Sequence, residues 1–282
     1  MTIRQLHFVP PVPYLVAEEH GLFSAVGVEV EPRRTRSSAE QLEGLRSGAI
    51  DVAITAMDNV FVWNTLGIDV RIVAQAEQTT LLSIYATPGH RSLDDLEDKR
   101  FAVDALANGF AIVARRVLAD AGVEVSFVEV GGVKERLDAL VAGAADATLL
   151  GPPLDELAER AGMAFIASAN AALPAMPGQG IVVRAARTSL ERTELEAYLR
   201  AMALAVERCE AISDADGIAL LERHGFVGRS AGEIWRTRPR SLTVDPKGLE
   251  LLEAMRAGFG LLPDGYRGLE SIADTVLADS DQ

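Results

Sequence analysis

Apolar positions along the chain fall into two alternating rhythms. Short extended runs at Ile3–Val9, Val28–Glu31, Asp51–Thr55 and Val70–Ala74 alternate with helix-spaced stretches: Leu15–Phe23, a run through Ala39, Leu42 and Leu45, and Asp58–Leu66. The order then recurs. Arg100–Asp104, Val123–Val128, Asp146–Leu150 and Ala164–Ala167 read as strands. Phe110, Val113, Ala114, Val117, Leu118 and Ala121 share one helix face, and Val133, Leu137, Leu140 and Val141 mark the next helix. Strands alternating with helices predict an α/β fold, with mainly parallel sheets covered by helices. Leu82–Ala86 and Ile181–Arg184, each beside Gly and Pro, read as two crossings between two lobes. From Ser189 the strand rhythm stops. Leu195, Tyr198, Leu199, Met202, Val206 and Cys209 line one helix face. Further helices are expected near Asp214–His224, Ser230–Pro239, Lys247–Phe259 and Tyr266–Leu277.

The recurrence has a fixed offset of 95 residues. Gly27-Val28-Glu29-Val30 returns as Gly122-Val123-Glu124-Val125. Leu42, Leu45, Gly48, Ala49, Asp51 and Ile54 return as Leu137, Leu140, Gly143, Ala144, Asp146 and Leu149, and Gly67 returns as Gly162. The expected organisation is residues 1–86 with 184–282 as lobe 1, residues 87–183 as lobe 2, and a ligand cleft between them. In such sheets ligands bind beyond the carboxyl ends of the strands. The offset therefore nominates paired loops: Pro10–Tyr14 with Ala105–Gly109, Thr35–Ser38 with Val130–Val133, and Thr55–Asp58 with Leu150–Pro153.

Composition narrows the partners. The 282 residues carry 27 Lys+Arg against 41 Asp+Glu, a net charge of −14. That charge opposes nucleic-acid binding and attachment to anionic lipid. No apolar run is long enough for membrane insertion. The one cysteine, Cys209, excludes an internal disulfide framework and a cysteine-rich zinc site. His7, His20, His90 and His224 have no metal-ligand spacing, so no metal or cofactor is expected. The N-terminus enters a strand at once. This suits either a cytoplasmic chain or one whose export signal has been removed, in which case the location is the cell envelope.

Pro13-Tyr14-Leu15-Val16-Ala17, His20-Gly21-Leu22-Phe23 and Val26-Gly27-Val28-Glu29-Val30 resemble the opening of type II periplasmic-binding proteins. The resemblance extends to Leu45–Ala53 and Ser92–Val103. It is nearest to the NMT1-like branch that includes aliphatic-sulfonate, taurine and thiamine-pyrimidine binders, and covers residues 3–185. It implies a two-lobed fold with a helical C-terminal region. It also implies a monomeric solute-binding protein that closes on a small polar organic molecule, with an ABC permease as partner in import.

The candidate ligand-binding residues are Pro11, Tyr14, Ser37, Ser38, Thr55, Asp58, Asp104, Asn108, Gly132, Lys134, Gly151 and Pro152. Tyr14 reads as an aromatic wall for a ligand, or as packing at a helix start. Ser38 with Gln41 fits a capping box, and the same helix N-terminus could meet an anion. Asp58 reads as an N-cap or as an acceptor for a ligand amine or hydroxyl. Asp104 offers a second carboxylate, which suits a cationic or polyhydroxylated ligand. Arg36 and Lys134 suit an anionic one. Gly131-Gly132 allows close backbone approach, and Gly151-Pro152-Pro153 offers shape rather than charge. The alternative reading is a cytoplasmic decarboxylase or other lyase using acid/base chemistry on a small organic acid or heterocycle. Nucleophile and metal motifs are missing from the expected cleft loops, which favours binding over catalysis.

Overall fold

The computed structural model describes residues 2–35, 37–185, 189–226 and 228–274. The chain opens with β1 (Thr2–His7), α1 (Val12–Glu19), α2 (Leu22–Ala25), β2 (Glu29–Arg34), α3 (Ser38–Ser47), β3 (Val52–Ala56), α4 (Asp58–Trp63) and β4 (Val70–Gln75). It continues with β5 (Ser83–Ala86), β6 (Arg100–Val103), α5 (Gly109–Ala121), β7 (Ser126–Glu129), α6 (Val133–Val141), β8 (Ala147–Leu150), α7 (Leu154–Arg160), β9 (Ala164–Ser168) and α8 (Ala169–Ala172). It closes with β10 (Gln179–Arg184), α9 (Ser189–Ala211), α10 (Asp214–Arg223), α11 (Gly228–Arg236) and α12 (Pro246–Gly258).

Two compact units result. Unit 1 comprises Met1–Thr79, Pro177–Glu250 and Leu262–Gln282; unit 2 comprises Thr80–Met176 and Leu251–Leu261. Unit 1 is built on a five-stranded sheet ordered β2-β1-β3-β10-β4, and unit 2 on one ordered β7-β6-β8-β5-β9. In each, one strand runs against the others: β10 is antiparallel to β3 and β4, and β5 to β8 and β9. These are the two segments read as crossings. Each is a strand, as expected, and takes the fourth place in its sheet, where it is apolar on both faces. Ile181, Val182 and Val183 are buried in one, and Ile84, Tyr85 and Ala86 in the other.

The core of unit 1 packs one face of its sheet (Ile3, Ile54, Ile181) against α1, α9 and α10 through Leu15, Tyr198, Met202 and Leu220. In unit 2, Leu137 and Leu140 of α6 pack with Tyr85, Leu150 and Ala158. Residues 251–261 belong to unit 2 for a local reason. The Arg115 guanidinium lies 4.1 Å from the Phe259 ring centroid, and buried Arg256 donates to the Leu261 and Ala107 carbonyls at 3.3 and 3.5 Å.

The 95-residue repeat has a physical basis. Gly48 caps α3 at φ 74°, and Gly143 follows α6 at φ 69°, a conformation that costs other residues a steric penalty. Three residues later, Asp51 accepts from Arg4 Nε at 2.9 Å, Nη2 at 2.8 Å and backbone N at 3.0 Å. Asp146 makes the same three contacts with Arg100 at 3.0, 2.9 and 2.9 Å. Each carboxylate thus fastens the start of one strand (β3 or β8) to the neighbouring strand (β1 or β6).

Two expectations need correction. Tyr266–Leu277 is not a helix over its described part: Leu269–Ser271 forms one 3-10 turn and Ala273 bridges to Ile72 of β4. Gly265 and Gly268, at φ 81° and 94°, interrupt any helix there, and residues 275–277 lie outside the described residues. The helices α7 and α8 were not anticipated. They have seven and four residues, too short for a clear apolar period.

Candidate functional site

In unit 1 the carboxyl ends of β1, β2 and β3 lead into three helix starts. Pro11 is the N-cap of α1 in extended backbone, and is buried. Tyr14 is 3% exposed. Its ring lies 5.7 Å from His7 and 5.7 Å from Phe23, and its hydroxyl donates to Glu18 Oε1 at 3.0 Å. Burial and the nearby carboxylate raise its pKa. Tyr14 therefore packs within unit 1. Ser37, not Ser38, caps α3, accepting from Glu40 N at 3.3 Å. Ser38 is the first helical residue. Gln41 takes no part in a capping box. It is fully buried, and its Nε2 donates to the carbonyls of Leu6 at 3.0 Å and Ile54 at 2.9 Å, tying α3 to β1 and β3. Arg36 lies outside the described residues. Thr55, fully buried, accepts from Asn59 Nδ2 at 2.8 Å. Asp58 is the first residue of α4 rather than its cap, because Met57 before it is already helical. It is 3% exposed, with its carboxylate in the first turn, where the helix dipole favours negative charge.

Unit 2 repeats the arrangement with different chemistry. Asp104 directly follows β6. Its Oδ1 is buried with no hydrogen-bond partner, and burial raises its pKa against the opposing pull of Arg136. Asn108 caps α5, accepting from Phe110 N at 3.0 Å. Gly132 is the exposed N-cap residue of α6 and has no side-chain cap, and the Glu135 side chain of the first turn folds back against Gly131 and Gly132. Lys134 is exposed and pairs with Asp138 one turn on, which partly neutralises its charge. Gly151 is required by packing: a Cβ there would meet the Leu81 carbonyl at 2.4 Å. Half-buried Pro152 follows it and leads through Pro153 into α7.

Two polar groups near these loops escaped the reading of the sequence. Arg136 stands 95 residues after Gln41 and does the same work: its Nη1 donates to the Leu149 carbonyl, the counterpart of Ile54. It is 1% exposed, and its Nε and Nη2 are buried without partners. In unit 1, Gln179 of β10 donates to Glu77 Oε1 at 2.8 Å and to the Val9 carbonyl at 3.1 Å, which braces the first loop. Burial pushes the Glu77 carboxyl up to about 7, although Gln179 counters this. The spacing from Gln41 could have flagged Arg136; nothing local marked Glu77.

Chemically, these loops offer backbone donors at helix starts, carboxylates at Asp58 and Asp104, and hydroxyl and amide groups between them. No cluster of three metal-ligating side chains occurs among the described residues. Cys209 is buried on α9, and burial pushes its thiol up to about 11, so it is a protonated core residue. No helix among the described residues is long and apolar enough to cross a membrane.

Two such units, each a five-stranded sheet with one reversed strand and flanking helices, match the periplasmic-binding-protein fold of solved structures. The chain resembles the ligand-binding component of an ABC-type import system from Staphylococcus aureus, solved with zinc bound. There the TM-score is 0.85 at 13% identity, covering 100% of this chain and 99% of that one. It resembles the alkanesulfonate-binding protein SsuA from Xanthomonas axonopodis pv. citri, bound to MOPS, with TM-score 0.75, 17% identity and coverage of 96% and 97%. For the nitrate-binding protein NrtA from Synechocystis PCC 6803 the values are 0.72, 15%, 96% and 83%. No curated protein matches the sequence. Residues 11–211 match the model of the NMT1/THI5-like family, and the chain belongs to that family.

Proposed function

We propose that this protein is a solute-binding protein that takes up one small polar organic molecule and delivers it to an ABC-type importer on the outer side of a membrane. The observation that carries this reading is the family match over residues 11–211, on a fold whose full length follows a ligand-binding component of an import system. The loops at the carboxyl ends of the strands carry the candidate binding residues: Pro11, Ser37, Ser38, Thr55 and Asp58 in unit 1, and Asp104, Asn108, Gly132, Gly151 and Pro152 in unit 2. Tyr14 supports its loop from behind, and Lys134 tunes the field at its rim. Carboxylates such as Asp58 and Asp104 favour a ligand rich in hydroxyl or amine donors. A protein of this kind works as a monomer and needs no cofactor.

Mass spectrometry of small molecules retained through purification supplies candidate ligands. The cognate one should raise stability by about 2.7 kcal/mol at a hundredfold excess over its Kd, and should be recovered unchanged after incubation. Asp58→Asn and Asp104→Asn should each weaken binding about tenfold or more, as expected for lost charge-assisted hydrogen bonds. Consumption of the ligand would move the assignment to catalysis. Normal affinity in both variants would remove these loops from the site.

A further inference from the structure

The C-terminal helices of unit 1 carry a cavity of about 250 Å³, lined by Asp214, Ile218, Gly232, Trp235, Arg236, Arg238 and Arg240. It is assembled from α10, α11 and the segment that follows α11, and it uses none of the loops discussed above. In a chain of net charge −14, three arginines in five residues are a local reversal of sign.

The floor is rigid. Trp235 is 1% exposed, and its Nε1 donates to Asp214 Oδ1 at 3.0 Å. Gly217 makes room for the indole, since a Cβ there would lie 2.1 Å from the ring. The Arg238 guanidinium sits 4.2 Å from the Trp235 ring centroid, and its Nη1 donates to the Trp235 carbonyl at 2.7 Å. Stacking and this hydrogen bond fix the plane of the guanidinium. Arg238 is 9% exposed, and its Nε is buried with no partner.

The unpaired edge of Arg238 is its Nε/Nη2 side, where Nε is buried and lacks a hydrogen-bond partner among the described residues. Elsewhere in this protein the same edge holds a carboxylate: Arg4 grips Asp51 and Arg100 grips Asp146, each through Nε and Nη2 at 2.8 to 3.0 Å. Arg238 holds that fork in a fixed plane, with no carboxylate of the described residues paired to it. Asp214 is held by the indole, and Arg240 pairs with Glu210, so the lining keeps a net positive charge.

We infer that this cavity is a second binding site, for a small oxyanion, with Arg238 as its bidentate ligand and Arg236 and Arg240 as flanking charges. An oxyanion with two acceptor oxygens in one plane, such as a carboxylate or phosphate, matches the fork. The volume is below the roughly 300–1,000 Å³ of ordinary organic-ligand pockets, which limits the occupant to a small anion or an anionic end group. The site is separate from the proposed solute-binding loops, so either assignment can fail without the other.

Trp63 and Trp235 are the only tryptophans, so Trp63→Phe leaves Trp235 as the reporter. Fluorescence of that variant should change saturably on titration with inorganic phosphate at constant ionic strength, with acetate as the carboxylate arm and chloride as control. Arg238→Lys keeps the charge but lacks the planar fork, and should weaken binding about tenfold. Arg236→Gln should weaken it a few-fold, while Asp58→Asn should leave it unchanged. Absence of saturation with both oxyanions would overturn the proposal. So would equal affinity in a natively folded Arg238→Lys protein, which would reduce the effect to unspecific attraction. Should Arg238→Lys fail to fold, unaltered affinity in both Arg236→Gln and Arg240→Gln would overturn it equally.

Discussion

At the scale of single residues, half-buried Glu77 and buried His7 pull the stability of unit 1 in opposite directions. Glu77, raised from 4.5 to about 7, binds its proton more tightly in the folded protein. Its contribution is fully present below about 4.5 and is lost as pH rises through 7. His7 is lowered from 6.5 to about 4 by burial and by the positive charge of Arg34. Its Nδ1 lies 3.0 Å from Gln5 Nε2, and Gln5 Oε1 accepts from the Tyr198 hydroxyl at 2.6 Å, so the imidazole is held neutral as an acceptor. Its contribution is present above 6.5 and is lost as pH falls through 4. Between 4.5 and 6.5 the two offset each other. Glu77→Gln should uncover the His7 loss, so that the variant loses about 1–3 kcal/mol between pH 6.5 and 4, a fall that Glu77 largely cancels in the wild type. Thermal melts across this range would show it, and parallel profiles for the two proteins would contradict it. Neither group was legible in the sequence as a titrating site, because burial comes from distant segments. What was legible at this scale came from helix-start chemistry. Asn108 caps α5 at the helix start expected for it, whereas Asp58 is displaced by one position because Met57 already has helical backbone. The sequence left Tyr14 open between an aromatic wall for a ligand and packing at a helix start, and its ring lies against His7 and Phe23. Tyr14→Ala should accordingly cost about 3–5 kcal/mol through the cavity it leaves, while Tyr14→Phe, which loses only the bond to Glu18, should cost about 1 kcal/mol; chemical denaturation separates them.

At the scale of elements, the repeat was the most informative feature, and its residues turn out to be joints rather than ligands. Leu42, Leu45, Leu137 and Leu140 are the buried faces of α3 and α6, Gly48 and Gly143 end those helices, and Asp51 and Asp146 fasten the strands that follow. Joints of this kind are short-range and fixed in spacing, which is why they survive as a readable pattern. Gly48→Ala and Gly143→Ala should each destabilise the protein by about 1–2 kcal/mol, the cost of left-handed backbone for a residue with a Cβ. The effects should add, because the two positions share no partners. Urea denaturation of the single and double variants tests this, and a sub-additive double variant would mean the two joints are coupled. The elements that went unread lacked such spacing. The short helices α7 and α8 have too few turns to show a period. The antiparallel placement of β5 and β10 depends on pairing with strands far away in sequence, which no local pattern specifies.

At the scale of the whole molecule, the sequence announced two α/β units, since alternating strands and helices with duplicated joints leave few other arrangements. The course of the C-terminal region could not be read in the same way, because its helices carry ordinary apolar faces that fit any neighbour. The structure gives that region two separate duties. Residues 251–261 complete unit 2, where Phe259 takes the Arg115 guanidinium and Arg256 reaches the Ala107 carbonyl. Residues 262–274 return to unit 1, where Ile72 donates to the Ile272 carbonyl at 2.8 Å and accepts from Asp274 N at 2.9 Å along β4. Two truncations should therefore have different addresses. A chain ending at Leu261 loses the strip along β4 and the contacts of Tyr266 with Phe61 and of Ser271 with Asn64 at α4, so amide exchange should accelerate around α4 and Val70–Gln75 and leave α5 protected. A chain ending at Glu250 also strips the cover from Arg115 and Ala107, so exchange should accelerate at the start of α5 as well, while β1 and β3 keep their protection. Hydrogen exchange read by mass spectrometry resolves these segments. If both truncations loosened only unit 1, residues 251–261 would have no part in holding unit 2 together.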